Sequence, residues 1–149
     1  MTRKFKTGDY MIYKLYNEKT DDYVTEFFLP VKTLDRLFWK HLELSDYKER
    51  GYKVVGVLYV DKETYLNERL NDSVEDYLFM EKQEHETIDK FNRGEISYNT
   101  YEKTMELIQD YKWTVLKKIR QQVRRINREE FTVENELALQ LYDMYLKVL

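Results

Sequence analysis

Apolar and polar positions alternate in two different rhythms along this chain. From Tyr10 to Tyr16 and from Tyr23 to Leu29, aromatic and β-forming residues cluster around the polar run Asn17-Glu18-Lys19-Thr20-Asp21-Asp22. Two such runs joined by a polar loop predict an antiparallel hairpin. Pro30 ends the second run, because it has no N–H for a ladder. Leu34, Leu37, Phe38 and Leu42 then recur at helical spacing behind Thr33, an N-cap residue type, and Gly51 is a natural stop. The apolar, valine-rich run from Tyr52 to Val60 predicts a third strand that pairs with the hairpin.

Beyond residue 60 the period lengthens. Asp61 can cap a helix whose stripe is Leu66, Leu70, Val74, Tyr77, Met80, Ile88 and Phe91. The cluster Asn71-Asp72-Ser73 is a candidate break, with Ser73 and Asp76 as a new cap. Arg93-Gly94-Glu95-Ile96-Ser97 reads as a turn into a long helix over about 99–127. Its inner face is Met105, Ile108, Val115, Ile119, Val123 and Ile126. Residues 74–127 therefore predict an antiparallel helical hairpin with a tight Gly turn. Phe131-Thr132 opens a last helix, capped by Thr132, whose apolar residues from Val133 to Leu149 cover an arc of about 240°. So wide an arc suits a helix central in a bundle or buried against a second copy.

These elements define an α+β fold: a small three-stranded antiparallel sheet with one helix, followed by a helical hairpin and a C-terminal helix. The 149 residues suit a single domain, with 1–60 its β-rich part and 61–149 its helical part. No internal repeat, low-complexity segment or linker interrupts it. A chain with 42% hydrophobic and 15% aromatic residues is not a disordered one. A mean hydropathy of -0.76 and 36% charged residues indicate a well-solvated surface. With 0 Cys there is no disulfide, thiol nucleophile or thiolate metal site, which fits a reducing compartment. Met1-Thr2-Arg3-Lys4 is basic without an apolar run behind it, so no signal peptide is expected. No stretch approaches the ~18 apolar residues of a membrane span. A cytoplasmic protein follows as the expectation.

Charge distribution is more informative than composition. The net charge of -3 hides a polarised chain: Asp61 to Glu86 holds nine acids and three bases, Lys117 to Arg128 six bases and no acid. At 100° per residue, Arg120, Arg124 and Arg128 fall within about 60° of Lys117, and Lys118 and Arg125 widen the basic arc. Leu116, Ile119, Val123 and Ile126 take the opposite side. One face packs while the other projects Lys117, Lys118, Arg120, Arg124, Arg125 and Arg128. Three readings suit this face: a solvated surface paired with the molecule's own acidic helix from Glu75 to Glu86, a nucleic-acid backbone site, or a site for an acidic protein.

Catalytic constellations are sparse. Glu81 and His85 share a helix face four residues apart, with Glu84 and Glu86 beside them, but no third metal ligand is evident. His41, after Trp39-Lys40, reads as a capping or surface histidine. With 4 Gly scattered, no phosphate-cradling loop forms, and no Gly-x-Ser-x-Gly elbow occurs. Asp61-Lys62-Glu63 after a strand is too short to specify a nuclease. No catalytic residue, metal or cofactor is assigned, and the balance leans away from an enzyme.

One ordered resemblance stands beside this. Met11-Ile12-Tyr13, then Tyr23-Val24-Thr25, looks like a decayed hairpin of the GIY-YIG nuclease family, with Met11 and Thr25 where that family has its signature glycines. Arg36, the strand Tyr52 to Val60 and Tyr65-Leu66-Asn67-Glu68-Arg69 follow in the family's order, so the resemblance spans about residues 10–70. It implies Tyr13 or Tyr23 assisting water attack, Arg36 holding phosphate and Glu68 holding Mg²⁺. The same tyrosines also suit packing on an ordinary hairpin.

The 14 tyrosines bear on interaction. Tyr buries a large area at low entropy cost and is enriched at binding hot spots. Tyr98, Tyr101 and Tyr111 lie on or beside a charged helix. The low Gly and Pro counts, with Ala138 the only alanine, suggest A/T-rich coding sequence of the kind carried by bacterial viruses and mobile elements. The expectation is a small intracellular, non-enzymatic interaction or regulatory protein acting on a larger protein or nucleoprotein machine. A nucleic-acid-binding regulator using helix segment 117–128 is the alternative, and a diverged GIY-YIG-like nuclease the second. No membrane partner is expected, and a homodimer through the C-terminal helix is compatible with its wide apolar arc.

Overall fold

The polar loop at 18–21 returns the chain on itself, and two buried contacts hold that end of the sheet. Asn17 is 4% exposed; its Oδ1 accepts from Lys19 N and its Nδ2 donates to Arg50 O, both at 3.0 Å. Gly51 takes φ +94°, where a Cβ would be strained and would lie 3.4 Å from Asn17 Nδ2. The computed structural model describes residues 10–30 and 44–148, with side chains as far as Met144. Its elements are β1 (Tyr10–Asn17), β2 (Asp22–Phe28), α1 (Ser45–Glu49), β3 (Tyr52–Val60), α2 (Lys62–Asn92), α3 (Tyr98–Arg128) and α4 (Glu136–Val148). The α+β class, the three-stranded antiparallel sheet, the helical hairpin and the C-terminal helix are as the sequence predicts. Of the helix expected from Thr33, only the stretch from Leu44 onward falls within the described residues, where α1 forms.

Contacts group the chain into two compact units, Met1–Leu66 and Asn67–Leu149. In the first, strand order is β2-β1-β3, all antiparallel. Central β1 is buried on both faces. Met11, Tyr13 and Leu15 join Phe28 and Leu44 in one cluster, with Val57 and Tyr59 packed against it. Ile12, fully buried, points to the other face. There Tyr65, from the first turn of α2, lies 4.6 Å from the Tyr10 ring and 5.9 Å from that of Phe27. Each fully buried aliphatic side chain contributes roughly 1.5–3 kcal/mol. A bulge between Lys14 and Leu15 shifts the β1–β3 register and leaves Val55 52% exposed.

Asp61 caps α2 as expected, its Oδ1 accepting from Thr64 N at 2.8 Å. The break considered at Asn71-Asp72-Ser73 does not occur: α2 is continuous from Lys62 to Asn92. Ser73 does not cap; its buried hydroxyl donates to Arg69 O at 3.3 Å, so the helix itself satisfies it. At the turn, Glu95 N donates to Lys90 O at 2.9 Å around Gly94, whose φ is +73°. Ser97 Oγ then accepts from Thr100 N at 3.2 Å and starts α3.

The last helix begins later than expected. Asn135, not Thr132, caps it, with Oδ1 accepting from Ala138 N at 3.0 Å. Residues 129–135 form instead a connection held from α2. Asn67 Nδ2 donates to Thr132 O and its Oδ1 accepts from Glu134 N, both at 3.0 Å; Asn135 Nδ2 donates to Asn71 Oδ1 at 3.0 Å. Helix α4 packs on α3 with Ala138 and Leu141 buried, while Leu139 and Met144 stay exposed. Leu141 is thus a core residue. Among the described residues no helix is long and apolar enough to cross a membrane.

Candidate functional site: the outer surface of the helical hairpin

Helix α3 is amphipathic along its whole length. Ile108, Val115, Leu116, Ile119, Val123 and Ile126 are buried. The expected inner face holds except at Met105, which is half-buried. The basic arc lies opposite: Lys117, Lys118, Arg124, Arg125 and Arg128 are exposed and Arg120 is half-buried. The Lys117 ammonium sits 5.8 Å from the Trp113 ring centroid. Among the described residues, no ion pair joins Lys117, Lys118, Arg124, Arg125 or Arg128 to a carboxylate.

The self-pairing expected between this arc and the Glu75–Glu86 stretch is carried by another cation. Glu84 accepts from Lys112 Nζ at 3.2 Å and from Gln109. Lys112 also lies 5.1 Å from the Tyr77 ring centroid. Burial works against the Lys112 charge, but the Glu84 hydrogen bond and the neighbouring Tyr77 and carboxylates outweigh it and raise its pKa above the ordinary lysine value. Among the described residues Glu84 is therefore paired by Lys112 and not by Lys117 of the basic arc.

The hairpin also carries an apolar groove of about 400 Å³, lined by Asp76, Phe79 and Met80 of α2 and Leu107, Ile108 and Tyr111 of α3. Phe79, Leu107 and Tyr111 are 57%, 71% and 48% exposed. Tyr111 thus lines a surface groove. Tyr98 and Tyr101 do not join that groove; they gather at the hairpin turn, where Tyr101 stacks on Phe91 at 4.5 Å. The groove was missed by stripe analysis, which collects only residues that face inward. Its signal was Phe79 and Leu107, large apolar residues that fall off their helices' inner stripes.

The other candidates separate. His85 is exposed and Glu81 half-buried. Among the described residues, no three His, Asp or Glu side chains are grouped to hold a metal ion. Asp61 serves as a helix cap. Of the residues named by the nuclease resemblance, Tyr13 is 1% exposed and packs within the sheet core. Its pKa is pushed up to about 12, chiefly by burial and then by Tyr59, the wrong direction for a general base. Tyr23 is exposed against Tyr16, and Glu68 is half-buried on α2. Arg36 and His41 lie outside the described residues. No protein-family model, curated protein or solved structure matches this chain.

Proposed function

We propose that this is a non-enzymatic interaction protein that regulates a larger, negatively charged protein or nucleoprotein assembly by binding it through the exposed cationic face of α3. The observation that carries this reading is that Lys117, Lys118, Arg124, Arg125 and Arg128 project from one helix with no carboxylate ion-paired to them among the described residues. Unneutralised like charges this close repel one another, and an anionic partner relieves that repulsion. Arg forks also bind carboxylate and phosphate in bidentate fashion.

A nucleic-acid partner is the second reading. The face runs about 16 Å from Lys117 to Arg128 at 1.5 Å per residue, the axial length of roughly five phosphates on one strand. The test is titration with duplex DNA, single-stranded DNA, RNA and polyglutamate across a salt series, for the wild type and for Lys117→Glu/Arg124→Glu/Arg128→Glu. These residues are exposed, so the triple variant keeps its fold. Nucleic-acid binding whose log–log salt slope falls by about 3 in the variant selects the second reading. Polyglutamate binding alone, lost in the variant, supports an acidic protein partner. Equal behaviour of wild type and variant toward every probe removes both.

A further inference from the structure

We infer that the grooved face of the α2–α3 hairpin is a dimer surface, and that its occupant is the same face of a second copy of this chain. This goes beyond the proposed function and divides its basic face: Lys118 and Arg125 flank the groove, while Lys117, Arg124 and Arg128 form an outer row that stays open to an anionic partner. Phe79, Leu107 and Tyr111 form an apolar centre too exposed for a helical hairpin that stands alone. What surrounds that centre identifies the occupant.

The two helices run antiparallel, and two contacts set their level: Gln109 bonds Glu84, and Phe91 stacks on Tyr101. Along the N-terminal half of α2, Glu75 and Asp76 lie within about 60° of Phe79 on the helical wheel, and along the C-terminal half of α3 Lys118 and Arg125 lie within about 20° of Leu107. At this end the groove therefore has an acidic wall on α2 and a basic wall on α3. Asp76 shares a level with Lys118. Among the described residues none of these four side chains is ion-paired.

A two-fold axis along the groove, parallel to the helices, keeps every level and exchanges the walls. Helix α2 of one copy then covers α3 of the other. Asp76 faces the second copy's Lys118. Phe79 lies within about one turn of the second copy's Tyr111, and an isologous four-helix layer closes. A foreign partner would need an apolar centre between an acidic and a basic wall in this same register. The chain's own face already has all three.

Sedimentation equilibrium up to about 100 µM tests this. The wild type is expected at twice the 18.5 kDa chain mass, and Leu107→Glu at 18.5 kDa with an unchanged circular dichroism spectrum. Asp76→Lys alone and Lys118→Glu alone are each expected to be monomers, because like charges then meet across the axis. An equimolar mixture of those two variants is expected to form heterodimers, because each altered wall then faces an opposite charge. An effect confined within one chain cannot produce that rescue. A wild type that stays at 18.5 kDa overturns the proposal and leaves the groove to a different protein. A Leu107→Glu dimer, or a mixture that fails to associate, overturns it as well.

Discussion

Burial decides what Tyr13 can do. Its phenol sits in the sheet core with a pKa raised to about 12, so the folded chain holds that proton more tightly than the unfolded chain, where the value is 10.0. A group raised in the folded state contributes stability that is complete below the unfolded value and is lost as pH rises through the folded one. The window is therefore pH 10 to about 12. Over that window the loss amounts to about 2–3 kcal/mol from this residue. Tyr47, hydrogen-bonded to Glu26, and Tyr77, which is desolvated, are raised as well and add the same sign. Tyr13→Phe is expected to flatten, without abolishing, the fall in urea-unfolding free energy between pH 9.5 and 11.5. An undiminished slope in Tyr13→Phe would place the titrating group elsewhere.

At the scale of elements, one buried amide sets how the last helix is reached. Asn67, 2% exposed on α2, meets both Thr132 O and Glu134 N, and so ties the α3–α4 connection to a helix 65 positions earlier in the chain. Asn67→Ala removes the buried amide that holds Thr132 O and Glu134 N and is expected to cost about 1–3 kcal/mol. Asn67→Asp keeps the acceptor for Glu134 N and should cost less. Equilibrium urea unfolding checks the order, and an alanine variant within about 0.5 kcal/mol of wild type contradicts it. This clamp also explains where sequence reading fell short. The strands Tyr10–Asn17, Asp22–Phe28 and Tyr52–Val60, and the turn at Gly94, were legible because alternation and caps are local. The start of α4 was not: Thr132 has good capping chemistry, yet its carbonyl is engaged by a residue far away in sequence. Ser73 misled for the complementary reason, since a hydroxyl that suits a cap is equally satisfied by the carbonyl one turn back. The cationic arc of α3 was legible from its period alone. Whether it was neutralised was not, because that depended on the level at which α2 and α3 face each other.

For the whole molecule, the two proposed surfaces make a joint prediction. A chain of net charge -3 would be repelled by polyanions if only its total mattered. Screening cuts interactions beyond about 10 Å at 0.1 M salt, so a polyanion at α3 responds to the local row rather than to the net charge. In the two-fold dimer each α3 lies diagonally across the four-helix layer from its mate. The rows of Lys117, Arg124 and Arg128 therefore point away from each other, and one polyanion strand cannot engage both. Breaking the dimer should then leave each row as it was. Leu107→Glu is expected to halve the mass while leaving the salt slope of polyanion binding per chain unchanged. The Lys117→Glu/Arg124→Glu/Arg128→Glu variant is expected to do the reverse, keeping the dimer mass while losing about 3 from the slope. If Leu107→Glu also flattened the slope, the rows would have to act together on one ligand, and the axis would have to lie across the hairpin rather than along its groove. Measuring mass and salt slope on both variants therefore separates association from binding and also fixes the direction of the symmetry axis.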